Sequence, residues 1–140
     1  MSKIIKASLD EIGRVVEYLK DNIASDAIVF LDGDLASGKT TLTQAVAKSR
    51  GFESDVTSPT FSIQHNYGDG LYHYDLYRLS FEEFMSLGIF EEFDKSGWHL
   101  VEWGSEELKN FLIMAGYEVF KVSISLDENS RVYEVSKCSN

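Results

Sequence analysis

The sequence predicts one α/β domain, a mixed parallel/antiparallel sheet flanked by helices, and three observations carry that expectation. Residues 28–31, Ile-Val-Phe-Leu, form a short apolar, β-rich run with the length of one buried strand. Residues 33–40 follow at once and read Gly-Asp-Leu-Ala-Ser-Gly-Lys-Thr, a glycine-bounded loop that opens into a helix-compatible stretch. Further on, residues 61–67 with 71–78, and 117–126 with 131–137, alternate apolar and polar positions around turn-forming segments, as antiparallel hairpins do. A strand–loop–helix unit asks for parallel neighbours and the hairpins add antiparallel ones, so the sheet is expected to be mixed.

The elements can be justified in chain order. Ile4 and Ile5 suit a first strand. Ser8 and Glu11 have capping-box spacing, and Leu9, Ile12, Val16 and Leu19 recur at helical intervals behind them. Residues 21–27 are polar and lead into the strand at 28–31. The Gly-x-x-x-x-Gly-Lys-Thr spacing then identifies a phosphate-binding loop, and with its strand before and helix after, it reads residues 1–140 as a single-domain P-loop NTPase. Gly33 and Gly38 let the backbone curl so that successive N–H groups face a phosphate. The helix beginning near Lys39 adds the positive end of its dipole. Lys39 has the reach for the β- and γ-phosphates, and the Thr40 hydroxyl suits Mg²⁺.

Leu42, Ala45 and Val46 continue that helix, which Gly51 is placed to cap. Residues 56–61, Val-Thr-Ser-Pro-Thr-Phe, contain the only proline and read as a stiff loop, either a γ-phosphate-sensing switch or a plain entry into the next strand. Phe61, Ile63, His65 and Tyr67 alternate up to a glycine-bounded turn. Period two in the following run puts His73, Asp75 and Tyr77 on one face, with Tyr72, Tyr74 and Leu76 on the other. A carboxylate among aromatics is costly to bury unless it is paired or used. Asp75 therefore either forms an ion pair with Arg78 or orients a water or the shell of Mg²⁺. His73 reads as a hydrogen-bonded structural residue. Ser80 and Glu83 repeat the capping-box spacing ahead of a short helix that ends near Gly88. The segment 89–97 is acidic and aromatic without a clear period. Residues 98–101, Trp-His-Leu-Val, end in Glu102, and a carboxylate at a strand tip is where a phosphate-loop enzyme holds its second Mg²⁺ ligand. A helix over 105–114 and the closing hairpin, with Phe120, Val122, Ile124 and Leu126 on one face, complete the chain.

Bulk properties narrow the function. The net charge is −10, and the 13 Lys and Arg are scattered singly, without the clustered basic footprint of a nucleic-acid binder. The densest cluster is acidic, comprising Glu82, Glu83, Glu91, Glu92 and Asp94, and reads first as a solvated face. No apolar run has the length of a membrane span and residues 1–6 do not form a secretory signal. The single cysteine, Cys138, excludes a disulfide framework and a cysteine zinc site. These features point to a cytoplasmic protein that does not bind nucleic acid strongly by itself.

Taken in order, Gly33-Asp34-Leu35-x-x-Gly38-Lys39-Thr40-Thr41, Ser58-Pro59-Thr60-Phe61, His73-x-Asp75-x-Tyr77-Arg78-Leu79 and Glu102-Trp103 resemble the motifs of the bacterial TsaE (YjeE) family, the ATPase of tRNA threonylcarbamoyladenosine biosynthesis. The resemblance implies a compact ATPase that binds ATP or ADP with Mg²⁺ and works with the TsaB and TsaD proteins of the tRNA-modifying complex. It implies nucleotide contacts from Gly33, Ala36, Ser37, Gly38, Lys39, Thr40 and Thr41, with Arg131 as a basic residue near the nucleotide. Lys39, Thr60 and Asp75 are then the candidate catalytic residues, Thr60 in the switch-like loop and Asp75 near the γ-phosphate, while Thr40 and Glu102 would ligate the metal. Trp103 belongs to the motif and reads as a packing aromatic. Ala36-Ser37 stands where Gly-Ala is usual, and Leu9 where a threonine is common. A small-molecule kinase and a nucleotide-dependent scaffold without turnover are the competing readings. An arginine-rich lid, which a kinase would need, is not visible in the sequence.

Overall fold

A computed structural model describes residues 2–34, 38–52 and 63–139. Among these residues seven strands form a single sheet in the order β1-β7-β6-β2-β5-β4-β3. They are β1 (Ser2–Ala7), β2 (Ala27–Asp32), β3 (Gln64–Gly68), β4 (Leu71–Asp75), β5 (Trp98–Glu102), β6 (Val119–Asp127) and β7 (Ser130–Cys138). The four central strands β6, β2, β5 and β4 run parallel, while β1–β7, β7–β6 and β4–β3 pair antiparallel. The expected mixed sheet and both hairpins are therefore present.

Among the described residues four α-helices cover the sheet: α1 (Ile12–Asn22), α2 (Lys39–Ser49), α3 (Phe81–Ser86) and α4 (Glu106–Met114). Strands covered on both faces are buried along most of their length, which explains why β2 and β5 read as mostly apolar runs and not as alternation. Alternate residues feed two cores. Val29, Leu31, Leu71 and Leu100 pack with Val15, Leu19, Leu42 and Val46 of α1 and α2. Ile28, Phe30, Tyr72, Tyr74 and Val101 pack with Phe84 of α3 and Leu108 and Leu112 of α4.

Capping residues set the helix boundaries. Ser80 accepts a hydrogen bond from the Glu83 N–H at 3.1 Å, and the Glu83 carboxylate accepts from the Ser80 N–H at 3.1 Å, completing the expected capping box of α3. Ser105 caps α4 by accepting from the Leu108 N–H at 3.0 Å. Near the N-terminus, the Ser8 N–H donates to Glu11 at 3.0 Å, but it opens a 3-10 turn, Leu9–Glu11, before α1 proper begins. The acidic segment without clear periodicity contains a second 3-10 turn, Ile89–Asp94.

Three expectations are corrected. The run expected to stay extended through Arg78 leaves the sheet at Asp75. The Asp75 carboxylate accepts the Tyr77 N–H at 3.0 Å, the Leu79 N–H bonds to Leu76 O at 3.0 Å, and Arg78 takes φ 70°, so the chain turns. Tyr77 consequently does not share a strand face with His73 and Asp75. Leu126 is 61% exposed although it continues the buried series Phe120, Val122 and Ile124, because that end of the β6–β7 hairpin runs past the core. Ile63 and Tyr67 pack into opposite cores, with a register shift between Asn66 and Gly68 interrupting the alternation; Phe61 lies outside the described residues.

Candidate functional site

The candidate residues gather where the parallel strands end. Cα partners across the three neighbouring strands are Leu31 of β2, Glu102 of β5 and Asp75 of β4, so the two carboxylates leave adjacent strand tips. With strands about 4.8 Å apart, the row from Leu31 to Asp75 spans roughly 10 Å. Gly33 follows β2, and α2 starts at Lys39 after the N-cap Gly38. In an open parallel arrangement this crevice at the carboxyl ends is where ligands bind.

Lys39 is only 4% exposed. Its ammonium donates to the Gly33 carbonyl at 2.7 Å and lies 3.5 Å from the centre of the Trp103 ring, a cation–π contact. Burial lowers its pKa, against the opposing charges of Glu102, Asp32, Asp75 and Asp34. Trp103 takes φ 62° immediately after β5 and packs on Tyr77 at 5.0 Å between ring centres. The motif tryptophan is therefore a packing aromatic, as expected, and also the platform on which Lys39 rests. Sequence reasoning did not find that contact; the adjacency of Trp103 to a strand-tip carboxylate was its one available signal. A cavity of about 150 Å³ opens beside this pair, bordered by Asp32, Ser105, Lys109 and Lys121.

Gly38 has φ 108°, and a Cβ built there would lie 2.8 Å from Arg131 Nε. Arg131, at the start of β7, is thus carried from the far end of the chain onto the loop. Its Nε is buried and, among the described residues, has no hydrogen-bond partner. Burial pushes the Tyr133 phenol up, with Arg131 acting in the other direction. Thr40 lies half-buried in the first turn of α2 with Thr41 beside it. Ala36, Ser37 and Thr60 fall outside the described residues.

Glu102 is 4% exposed, and its Oε2 is hydrogen-bonded to Nε2 of the fully buried His73 on β4. The expectation of a hydrogen-bonded His73 holds, and the partner is the carboxylate singled out for the metal. Tyr67 lies on the same side; burial first, and the charge of Glu102 second, push its phenol up to about 12. Asp75 is less buried and accepts from the Tyr77 backbone, while the Arg78 guanidinium lies 5.3 Å from the Tyr77 ring centre.

Comparisons with known proteins place the chain in a family. A family model described as "Threonylcarbamoyl adenosine biosynthesis protein TsaE" matches residues 6–133. A Bacillus subtilis protein named tRNA threonylcarbamoyladenosine biosynthesis protein TsaE is 46% identical over 54% of this chain and 49% of its own length. A Rickettsia prowazekii protein of the same name is 36% identical over 93% of this chain and 91% of its own. The chain spans about half the length of several such relatives, 57% for one from Nostoc sp.. The crystal structure of YdiB from Bacillus superposes with a TM-score of 0.70 at 27% identity, covering 98% of this chain and 87% of that one. Family match, relatives and fold coincide, and the chain belongs to the TsaE family, named for threonylcarbamoyl adenosine biosynthesis.

Proposed function

We propose that this chain is a Mg²⁺-dependent ATPase that binds ATP or ADP at the loop of Gly33, Gly38, Lys39, Thr40 and Thr41 and acts on a TsaB–TsaD complex in tRNA threonylcarbamoyladenosine formation. The observation that carries this reading is the placement of Asp75 and Glu102 at adjacent strand ends with Lys39, the first residue of α2, held close to both carboxylates. The residues present suit the ligand. The absence of a Cβ at Gly38 lets the Arg131 side chain lie against the loop, and among the described residues its buried Nε has no hydrogen-bond partner. Lys39 is held among carboxylates close to the loop, and a helix N-terminus favours anions.

In this reading Lys39 exchanges its bond to the Gly33 carbonyl for the β- and γ-phosphates, and Arg131 adds a second cation beside Gly38. Mg²⁺ in nucleotide sites takes one or two protein oxygens in addition to phosphate, and Thr40 and Glu102 are the residues that would hold it. When bound, the ion supplies charge neutralisation on the phosphates. Asp75, at the neighbouring strand tip, would orient the attacking water, with Thr60 in the switch-like loop. The acidic composition supports a protein complex, not tRNA, as the object of the cycle.

The test is ATP hydrolysis by the chain alone and with TsaB–TsaD added, comparing wild type with Lys39→Ala and Glu102→Ala. The expected result is release of inorganic phosphate, accelerated by the partners, absent in Lys39→Ala and strongly reduced in Glu102→Ala. Transfer of the phosphate to a metabolite would establish a kinase instead, and tight tRNA binding by the chain alone would remove the argument for acting through partners.

A further inference from the structure

His73 and Glu102 are 29 residues apart in sequence and meet across β4 and β5. Their strands are in register at His73–Leu100 and Asp75–Glu102, so the contact is diagonal and uses the two-residue spacing of His73 and Asp75. That spacing sends both side chains to the face on which α2 packs, one onto Glu102 and the other to the next strand tip. The chemistry of the pair fixes the tautomer. Glu102 accepts, so Nε2 carries the hydrogen; among the described residues buried Nδ1 has no partner, and a hydrogen there would be a donor lacking an acceptor. The Nε2–H form leaves only a lone pair at that position.

We infer that His73 is a positioning residue for Glu102, locking one carboxylate oxygen so that the other is directed to a divalent cation on the bound nucleotide. The inference rests on the nucleotide and Mg²⁺ reading given above. A carboxylate this buried needs a donor to stay in place, and ligating groups are commonly oriented by a hydrogen bond from behind. Lys39 does not fill that role, because its ammonium is engaged by the Gly33 carbonyl and the Trp103 ring. His73 is rigidly held in turn: it sits in the interior of β4, paired with β5 on one side and β3 on the other.

The experiment is calorimetric titration of ADP in EDTA and in Mg²⁺, for wild type, His73→Leu and His73→Gln. Leucine removes the donor at similar volume, whereas the glutamine amide presents an N–H where Nε2 stands. Thermal melts confirm that each variant is folded, and His73→Met takes the place of His73→Leu, under the same criteria, should leucine not be tolerated. Wild type is expected to bind ADP more tightly with Mg²⁺. His73→Leu should keep its affinity in EDTA and lose about tenfold of the Mg²⁺-dependent gain, with His73→Gln recovering most of it. An unchanged Mg²⁺-dependent gain in a folded His73→Leu would overturn the inference alone, as would an equal loss with and without the metal. A folded His73→Gln no better than His73→Leu would overturn the role of the donated hydrogen bond. If wild type binds no ADP, or shows no Mg²⁺ effect, the functional reading falls and takes the positioning role with it.

Discussion

Gly38 concentrates several demands in one backbone position. Its φ of 108° lies where side chains are disfavoured, and the space a methyl group would occupy belongs to Arg131. A left-handed conformation costs a non-glycine residue about 1–2 kcal/mol, so Gly38→Ala should lower stability by at least about that much in urea unfolding. Gly51 is the internal control: it also has a positive φ, 87°, but a Cβ there meets nothing within 4 Å. Gly51→Ala should show the backbone cost alone, and the excess at Gly38 should shrink when Arg131→Ala is added, since residues in contact are not additive. Equal losses at the two glycines would mean that Arg131 yields freely. If the proposed nucleotide site is right, Gly38→Ala should also weaken ADP binding, through displacement of Arg131 and distortion of the turn into α2.

Helix α4 separates what packing contributes from what exposure permits. Its side chains Leu108 and Leu112 are fully buried against the sheet, while Met114 at the last turn is 77% exposed. Removing a buried leucine costs about 2–5 kcal/mol through lost transfer energy and an incompletely closed cavity, so Leu112→Ala should unfold at markedly lower urea. Met114→Ala should shift stability by no more than about 0.5 kcal/mol. A large loss at Met114 would mean that α4 leans on something through that side chain. This helix was readable from sequence because its signal is local: the apolar residues Leu108, Phe111 and Leu112 recur at helical spacing. The end of β4 was not readable in the same way. Leu76, Tyr77 and Leu79 have strand character, yet the chain turns where the Asp75 carboxylate captures the Tyr77 N–H and Leu79 N–H bonds back to Leu76 O. Side-chain competition of that kind leaves little trace in an apolar pattern.

Across the whole molecule, the site is assembled from residues that sequence could nominate but not connect. The glycine loop and Glu102 stand out through their type and spacing; the contacts from Lys39 to Trp103 and from His73 to Glu102 depend on the register of β2, β5 and β4, which only the folded sheet sets. His99 is a similar case on the opposite face and gives the molecule a pH signature. Its Nε2 donates to the Lys95 carbonyl at 2.8 Å, so Nδ1 accepts from the Tyr74 hydroxyl at 2.6 Å, and Tyr72 stacks on the ring at 4.5 Å. Phe93 packs edge-on at 5.5 Å. Burial lowers the His99 pKa; the Lys95 carbonyl, Glu92 and Asp26 oppose that shift, and the Lys95 charge assists it. The sign follows directly. Above the unfolded value, about 6.5, the imidazole is neutral in both states and the network is intact. As pH falls below that value the unfolded chain takes up the proton first, so stability is lost progressively down to the lower folded pKa. The carboxylates with lowered pKa, such as Glu11, Glu92 and Glu106, lose their contribution only as pH falls through and below the usual carboxylate value of 4.5. Urea midpoints between pH 7.5 and 5.5 should therefore decline in wild type. His99→Gln, which cannot titrate there, should start lower through loss of the Tyr74 bond but change less over the same interval. Parallel slopes for the two proteins would assign the acid sensitivity to other groups.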